Sequence, residues 1–265
     1  MKQKTISGVS CLWVCDKNST DDKVILYLHG GGHTTGSVLT HRNLAADMAK
    51  VIGFPFLLIN FRLLPEHKYP APLDDVLRVY HSLISDSKFT HDNIVIGGDS
   101  TGGGLALATL VQLKNSGNSL PSRAFMLSGA FDLTLSGESM HTNSNKEPYI
   151  SFEELKDWQK NYFDDLESPL LSPLFADLSD LPPILLLAGG QELWLSDSLR
   201  LTEKIKNCGG EVRLRVWDSM WHVWVMDSEL KESKEAVLEI CKFIYGENVT
   251  DRKMLCKRNK KVKHI

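Results

Sequence analysis

Gly98-Asp99-Ser100-Thr101-Gly102 follows an apolar run, Ile94-Val95-Ile96, and opens a helical one, Leu105-Ala106-Leu107-Ala108-Thr109-Leu110-Val111. A Gly-x-Ser-x-Gly between a strand and a helix reads as a nucleophile elbow. The turn is so tight that the serine backbone is strained and the flanking positions must lack bulk. The hydroxyl is held above the sheet, at the positive end of a helix. A hydroxyl is a poor nucleophile near neutral pH, so this turn calls for a base, an acid that orients the base, and donors for an oxyanion.

On either side of this turn, short apolar runs alternate with helical patterns. Strands are expected at Cys11 to Cys15, Val24 to Leu28, Phe56 to Asn60, Asn93 to Gly97, Ala124 to Ser128, Ile184 to Ala188 and Val212 to Trp217. Helices are expected at Thr40 to Ile52, Pro70 to Ser85, Ser196 to Lys206 and Glu229 to Tyr245, besides the one after the elbow. Pro72 falls in a first turn, where a missing N–H costs nothing. The last helix is expected to place Leu230, Val237, Leu238, Cys241 and Ile244 on one face. This alternation predicts an α/β fold with a mainly parallel sheet covered on both sides. Its active site belongs at the carboxyl ends of the strands. Asp132 to Asp180, rich in Ser, Pro and Asp, breaks the rhythm and reads as an insertion above the sheet, with one amphipathic segment from Phe152 to Phe163.

The 265 residues carry 42% hydrophobic and 24% charged side chains, ample for a large core. A net charge of -3 argues against nucleic-acid binding. Residues 247–265 depart from this balance, with seven Lys/Arg against Glu247 and Asp251. They read as a basic, solvated tail following a single domain over residues 1–246. The five cysteines are odd in number and fit no zinc spacing. Cys208 and Cys241 fall in helical patterns and read as reduced core residues, which points to the cytoplasm. No apolar run approaches a bilayer span of about 20 residues, and the first residues lack the apolar core of a signal peptide.

Each partner of the serine can be sought at a strand end. His29-Gly30-Gly31-Gly32 directly follows the strong strand Val24 to Leu28 and reads as an oxyanion loop. The backbone N–H groups of Gly31, Gly32 and Thr101 are the candidate donors. A phosphate cradle would want Gly-Lys-Ser/Thr, which is missing, and three glycines between His29 and His33 disfavour a metal pair. After Ser100 only His141, His222 and His264 could be the base. His141 lies in the insertion and His264 in the tail, whereas His222 follows a strand end. Glu192 lies four residues after the strand Ile184 to Ala188 and Asp197 nine after it, and spacing favours Glu192 as the acid. His33, Trp194 and Trp221 are candidate substrate contacts.

With these residues in view, the chain resembles the hormone-sensitive-lipase-like family of α/β-hydrolases from about Cys11 to Tyr245. The resemblance rests on His29-Gly-Gly-Gly32, Phe61-Arg-Leu-Leu-Pro-Glu-His67, Gly98-Asp-Ser-Thr-Gly-Gly103, Pro182-Pro183 and Trp217-Asp-Ser-Met-Trp-His222. The family's acid is commonly an aspartate; the matching position here is Glu192. The position after the serine is usually alanine and here is Thr101. The position after the glycines is usually aromatic and here is His33. The family also carries an N-terminal helical cap, of which this sequence would retain little. The resemblance implies an α/β-hydrolase fold and an esterase that cleaves small to medium acyl esters, with no metal or cofactor. The alternatives are an amidase or lactone hydrolase with the same triad, or a non-catalytic ligand-binding relative. The expected partner is a small-molecule ester, with no stable membrane insertion; a homodimer through the last helix is left open.

Overall fold

The computed structural model describes residues 1–86 and 88–246. Chain order runs β1 (Lys2–Ile6), β2 (Val9–Val14), β3 (Val24–Leu28), α1 (Val38–Ile52), β4 (Phe56–Ile59), α2 (Ala71–Ser85), β5 (Ile94–Asp99) and α3 (Thr101–Asn115). It continues through β6 (Arg123–Leu127), α4 (Ser139–Thr142), α5 (Phe152–Tyr162), β7 (Ile184–Gly189), α6 (Leu195–Asn207), β8 (Val212–Trp217) and α7 (Lys231–Tyr245). The strands form one sheet in the order β1-β2-β4-β3-β5-β6-β7-β8. β1, β2 and β4 pair antiparallel, and every other pairing is parallel.

Helices cover both faces, as parallel strands require. On one face α2, α3 and α6 pack Tyr80, Leu110 and Leu201 against Leu26, Ile96 and Leu186. On the other, α1 and α7 pack Met48, Ile240 and Phe243 against Tyr27, Leu58 and Leu187. A third cluster lies under the 132–180 insertion and gathers Leu133, Met140, Leu171, Leu193 and Trp194. The central strands β3, β5 and β7 are buried at every position.

Three sequence expectations change. β1 was not foreseen: its residues are Lys2, Gln3, Lys4, Thr5 and Ile6, mostly exposed, so no apolar alternation announces it. It is joined to β2 by Ser7-Gly8, both with positive φ, a turn that matches the twist of a tight hairpin. In α7, Leu238 is 51% exposed, while Ala236, Ile240 and Phe243 are buried with Val237 and Cys241. At 100° per residue, positions 233, 236, 237, 240, 241 and 244 make one stripe and 238 falls on its outer side. Cys208 is exposed rather than in the core, because it caps α6 beyond the last apolar turn.

A very close backbone approach lies where α3 crosses β3. A Cβ on Gly102 would meet the carbonyl oxygens of Leu28 and His29, the latter at 2.5 Å. Neither backbone can retreat. Gly102→Ala is therefore expected to cost about 1–3 kcal/mol or more through overpacking. A melting temperature lowered by roughly 5 °C would register it; an unchanged one would show that α3 can lift away.

Candidate active site

Ser100 sits between β5 and α3 with φ 52° and ψ −128°. A side chain at positive φ costs on the order of 1–3 kcal/mol, and such strain persists only where surroundings over-determine it. They do so here: Ser100 N–H donates to Leu127 O at 2.9 Å, and Ser100 O accepts from Gly103, Gly104 and Ala130 N–H at 3.0, 3.3 and 3.1 Å. The elbow is thus tied to β6 on one side and to its own helix on the other.

The loop after β8 brings His222 to this turn. His222 Nε2 lies 2.9 Å from Ser100 Oγ. His222 Nδ1 lies 3.4 Å from Glu192 Oε2. The His222 ring and the Glu192 carboxyl are both buried, at 3% and 0% side-chain exposure. At 3.4 Å the pair is longer than a charge-assisted hydrogen bond of about 2.8 Å. Neither Nδ1 nor Oε2 has another partner among the described residues, so the two have only each other to turn to when charge develops. Glu192 Oε1 accepts Gly189 N–H at 3.1 Å. Asn143 Nδ2 ties down its loop by donating to Gly190 O and Glu192 O at 3.1 and 3.0 Å.

His222 is also held by its backbone. Its N–H donates to Glu147 Oε2 at 2.8 Å. Val223, at φ 52°, donates its N–H to Ser128 Oγ at 3.0 Å. Burial lifts the Glu147 carboxyl above its ordinary value, and the nearby Glu192 adds to this. Sequence reasoning missed Glu147 and Asn143, because nothing local in an insertion rich in Ser, Pro and Asp marks a residue that reaches across to the loops after β7 and β8.

Asp197, the other acid the spacing allowed, is committed elsewhere. It accepts Phe131 and Asp132 N–H at 2.9 and 2.8 Å and pairs with Arg200 at 2.7 Å. It anchors the loop after β6. Asp75 of α2 is likewise buried and committed, holding Arg62 and Arg78. Leu64 N–H then meets His33 O at 2.8 Å, which ties the Arg62–His67 block to the glycine loop.

That loop is set peptide by peptide. His29 Nδ1 donates to Gly30 O at 2.7 Å. Gly31 O accepts from Thr34 and Thr35 N–H at 3.1 and 2.9 Å. A trans peptide is planar, with C=O and N–H on opposite sides. Fixing the Gly30 and Gly31 carbonyls therefore turns the Gly31 and Gly32 N–H groups the other way. Neither of these two donates to another atom among the described residues. Thr101 opens α3, so its N–H is one of the helix's free first donors.

Asp99 links this loop to the elbow. It accepts from Tyr27 Oη at 2.9 Å, Gly30 N–H at 3.2 Å and His41 Nε2 at 3.2 Å. Burial alone would raise its pKa, but the His41 charge and these bonds outweigh that and hold it low. His41 is raised in turn: burial pulls it down, and Asp99 more than compensates.

A cavity of about 530 Å³ opens over Ser100, His222, Gly31, Gly32 and Thr101. Trp194 lines it, as the sequence suggested; His33 and Trp221 are not among its lining residues. His33, at φ 56°, turns beneath the loop and packs against Phe61 and Phe163. Trp221 packs against the α1/α7 core instead. The remaining walls come from the insertion and the β8 loop: Tyr149, Ile150, Leu155, Trp158 and Met226. The Ser151–Glu154 capping box marks the start of α5, but only the fold shows which face of α5 meets the cavity. Among the described residues no cluster of His, Cys, Asp or Glu could hold a metal ion.

The alpha/beta hydrolase fold family matches residues 25–226. An esterase of Acinetobacter venetianus is 36% identical over 83% of this chain and 74% of its own length. An acetyl-hydrolase of Streptomyces hygroscopicus is 32% identical over 83% of this chain and 74% of its own. The crystal structure of an esterase from the bacterial hormone-sensitive lipase family superposes with a TM-score of 0.89 at 38% identity, covering 92% of this chain and 82% of that one.

The loop histidines predict a pH effect. Burial holds His29 and His33 at about 4, against an ordinary 6.5. Between those values the unfolded chain binds two protons on these histidines that the folded chain does not. Asp197, which burial lifts from 3.8 to about 7, holds one in the folded chain that the unfolded chain releases, and Glu147, also raised by burial, acts in the same direction. The histidines lose about 1.4 kcal/mol of stability each per pH unit as pH falls from 6.5 to 4, and Asp197 offsets about one of the two. His41, whose pKa is raised, contributes fully below 6.5 and does not alter this slope. Asp75, Asp99 and Asp132 are lowered, so their loss begins only below 3.8. Urea unfolding at pH 6.5 and 5 should show His33→Gln with about one proton less in the slope; an equal slope would mean that His33 titrates as in water.

Proposed function

This chain belongs to the α/β-hydrolase family and is a carboxylester hydrolase, and we propose that Ser100, His222 and Glu192 are its catalytic triad. The observation that carries the assignment is the relay from Ser100 Oγ to His222 Nε2 at 2.9 Å and from His222 Nδ1 to Glu192 Oε2 at 3.4 Å. Each member stands at the carboxyl end of its own strand, where parallel sheets present their chemistry.

Ser100 Oγ attacks the ester carbonyl while His222 Nε2 takes its proton. Glu192 holds Nδ1–H and stabilises the imidazolium. The N–H groups of Gly31, Gly32 and Thr101 hold the oxyanion of the tetrahedral intermediate. The intermediate collapses as His222 returns the proton to the leaving alkoxide, which departs as the alcohol. Water, activated by the same histidine, then attacks the acyl-enzyme and releases the acid and free Ser100. No step calls for a metal or a cofactor.

A cavity of about 530 Å³ with Trp158, Trp194, Leu155 and Ile150 in its wall suits small to medium uncharged acyl groups. The same reading takes residues 1–246 as one domain, with 132–180 as its cap. The basic tail, with Cys256 and His264, lies outside the described residues. Buried free thiols at Cys11 and Cys241 favour a reducing cytoplasm. No helix among the described residues is long and apolar enough to cross a membrane.

Hydrolysis of p-nitrophenyl acetate and butyrate by the purified protein tests the assignment. Ser100→Ala should abolish it. Glu192→Gln should lower kcat by about 10²–10⁴, as loss of the orienting carboxylate does elsewhere. Asp197→Asn should keep most of kcat while lowering stability, since its carboxylate carries two backbone N–H groups and Arg200. Activity that survives Glu192→Gln but is lost in Asp197→Asn would move the acid to Asp197. Activity that survives Ser100→Ala would remove the triad altogether.

A further inference from the structure

α5 reaches the oxyanion loop from outside the sheet. Trp158 Nε1 donates to Gly32 O at 2.7 Å, and this carbonyl has no other donor among the described residues. Phe163, the residue that caps α5, meets the Trp158 ring edge-on at 4.8 Å between centroids and the His33 ring at 6.3 Å. Two consecutive residues of the loop, Gly32 and His33, thus rest on the insertion.

The three loop carbonyls have three different keepers. Gly30 O is held by the His29 ring and Gly31 O by the turn at Thr34 and Thr35, both parts of the loop itself. Gly32 O alone depends on a distant element. The Gly32 N–H and C=O are joined by two soft torsions, and its φ is 65°, a region where glycine has no side chain to hold it. The Gly31 carbonyl, held by Thr34 and Thr35, sets the plane of the Gly32 N–H. The indole pins the next peptide, Gly32–His33, which lies inside the turn that brings Thr34 and Thr35 back to that carbonyl, so the indole secures the turn on which the N–H depends.

α5 is lightly held. None of its residues is buried. Apart from Trp158, its side chains meet the domain through Gln159 Nε2 on Leu133 O at 2.8 Å and through apolar contacts of Phe152 and Leu155 with the third cluster. Leu155 and Trp158 also line the cavity where an acyl group would lie.

We infer that Trp158 is a positioning residue of the oxyanion hole, so that seating α5 on the loop and aligning the Gly32 N–H are one event. This rests on the reading of Gly31, Gly32 and Thr101 as oxyanion donors. An acyl chain that fills the space under α5 presses the helix onto the loop. Acyl fit then appears in kcat and not only in KM.

Trp158→Phe is the test, because it removes the N–H and keeps a smaller aromatic wall; recovery by Trp158→His separates the lost N–H from the lost ring volume. With p-nitrophenyl butyrate, kcat should fall about tenfold or more, part of what a full oxyanion donor contributes, with KM within about twofold. The Ki of a trifluoromethyl ketone, which forms a tetrahedral adduct on serine, should rise in the same proportion as kcat/KM falls. Trp158→His, which retains a ring N–H, should recover part of the loss. A Trp158→Phe enzyme with kcat within about twofold of wild type and a raised KM would make Trp158 a pocket wall only and overturn the inference. Should that variant not fold, exchange of the Trp158 indole hydrogen in the wild-type protein decides: it must slow in the ketone adduct, and equal exchange overturns the inference. Labelling with a fluorophosphonate separates the two readings. If Ser100 is labelled and Trp158→Phe is as fast as wild type, only this inference falls. If Ser100 is neither labelled nor needed for hydrolysis, the triad falls and this inference with it.

Discussion

The crossing of α3 over the end of β3 is the constraint on which the site depends. Glycines at 98 and 102 let the two backbones approach to distances that a Cβ would forbid, with the Leu28 carbonyl against both residues. That approach sets the nucleophile turn directly beside the start of the glycine loop. Asp99 then bridges them, accepting Gly30 N–H while its own strand ends in Ser100. Ser100 and the glycine loop are in this sense one backbone unit. His222 and Glu192 are brought to it separately, by loops after β8 and β7.

Buried carboxylates divide by how fully they are partnered. Asp75, Asp99, Asp132 and Asp197 each hold arginine, histidine, hydroxyl or backbone donors on both oxygens, and they act as fasteners. Glu192 is different. One oxygen is fixed to Gly189 N–H and the other faces only the imidazole. A buried oxygen left without a full donor is costly, and the cost falls when His222 gains a proton. The geometry thus favours a protonated His222, which is what the proposed triad requires.

Much of this was legible in the sequence. Val24 to Leu28 and Val212 to Trp217 appear as strands with the bounds their apolar runs give. Ser100, Glu192 and His222 come together because each motif follows a strand, and strand ends meet along one edge of a parallel sheet. What was not legible falls into two kinds. β1 carries no buried face, so its pairing to β2 depends on backbone bonds and the Ser7-Gly8 turn rather than on a pattern of side chains. Glu147, Asn143 and Trp158 act across 75, 49 and 126 positions of chain. Their partners are chosen by how the insertion folds back over the sheet, and local spacing holds no record of that. Leu238 and Cys208 were misplaced for a smaller reason, a helix face one position too wide and a cap taken for a core turn.

The two ends of the sheet also bear on how the molecule meets its own copies. β1 forms one edge and carries Lys2 and Lys4; β8 forms the other and carries Arg213 and Arg215. An edge strand offers unpaired backbone groups to any neighbour. At the β1 border the lysines are exposed, so two copies approaching there would bring like charges together before any backbone bond could form; at the β8 border Arg215 is already engaged by Glu235 and Glu239 of α7. Growth of the sheet by a ninth strand from another molecule is thus opposed at the β1 end by charge alone.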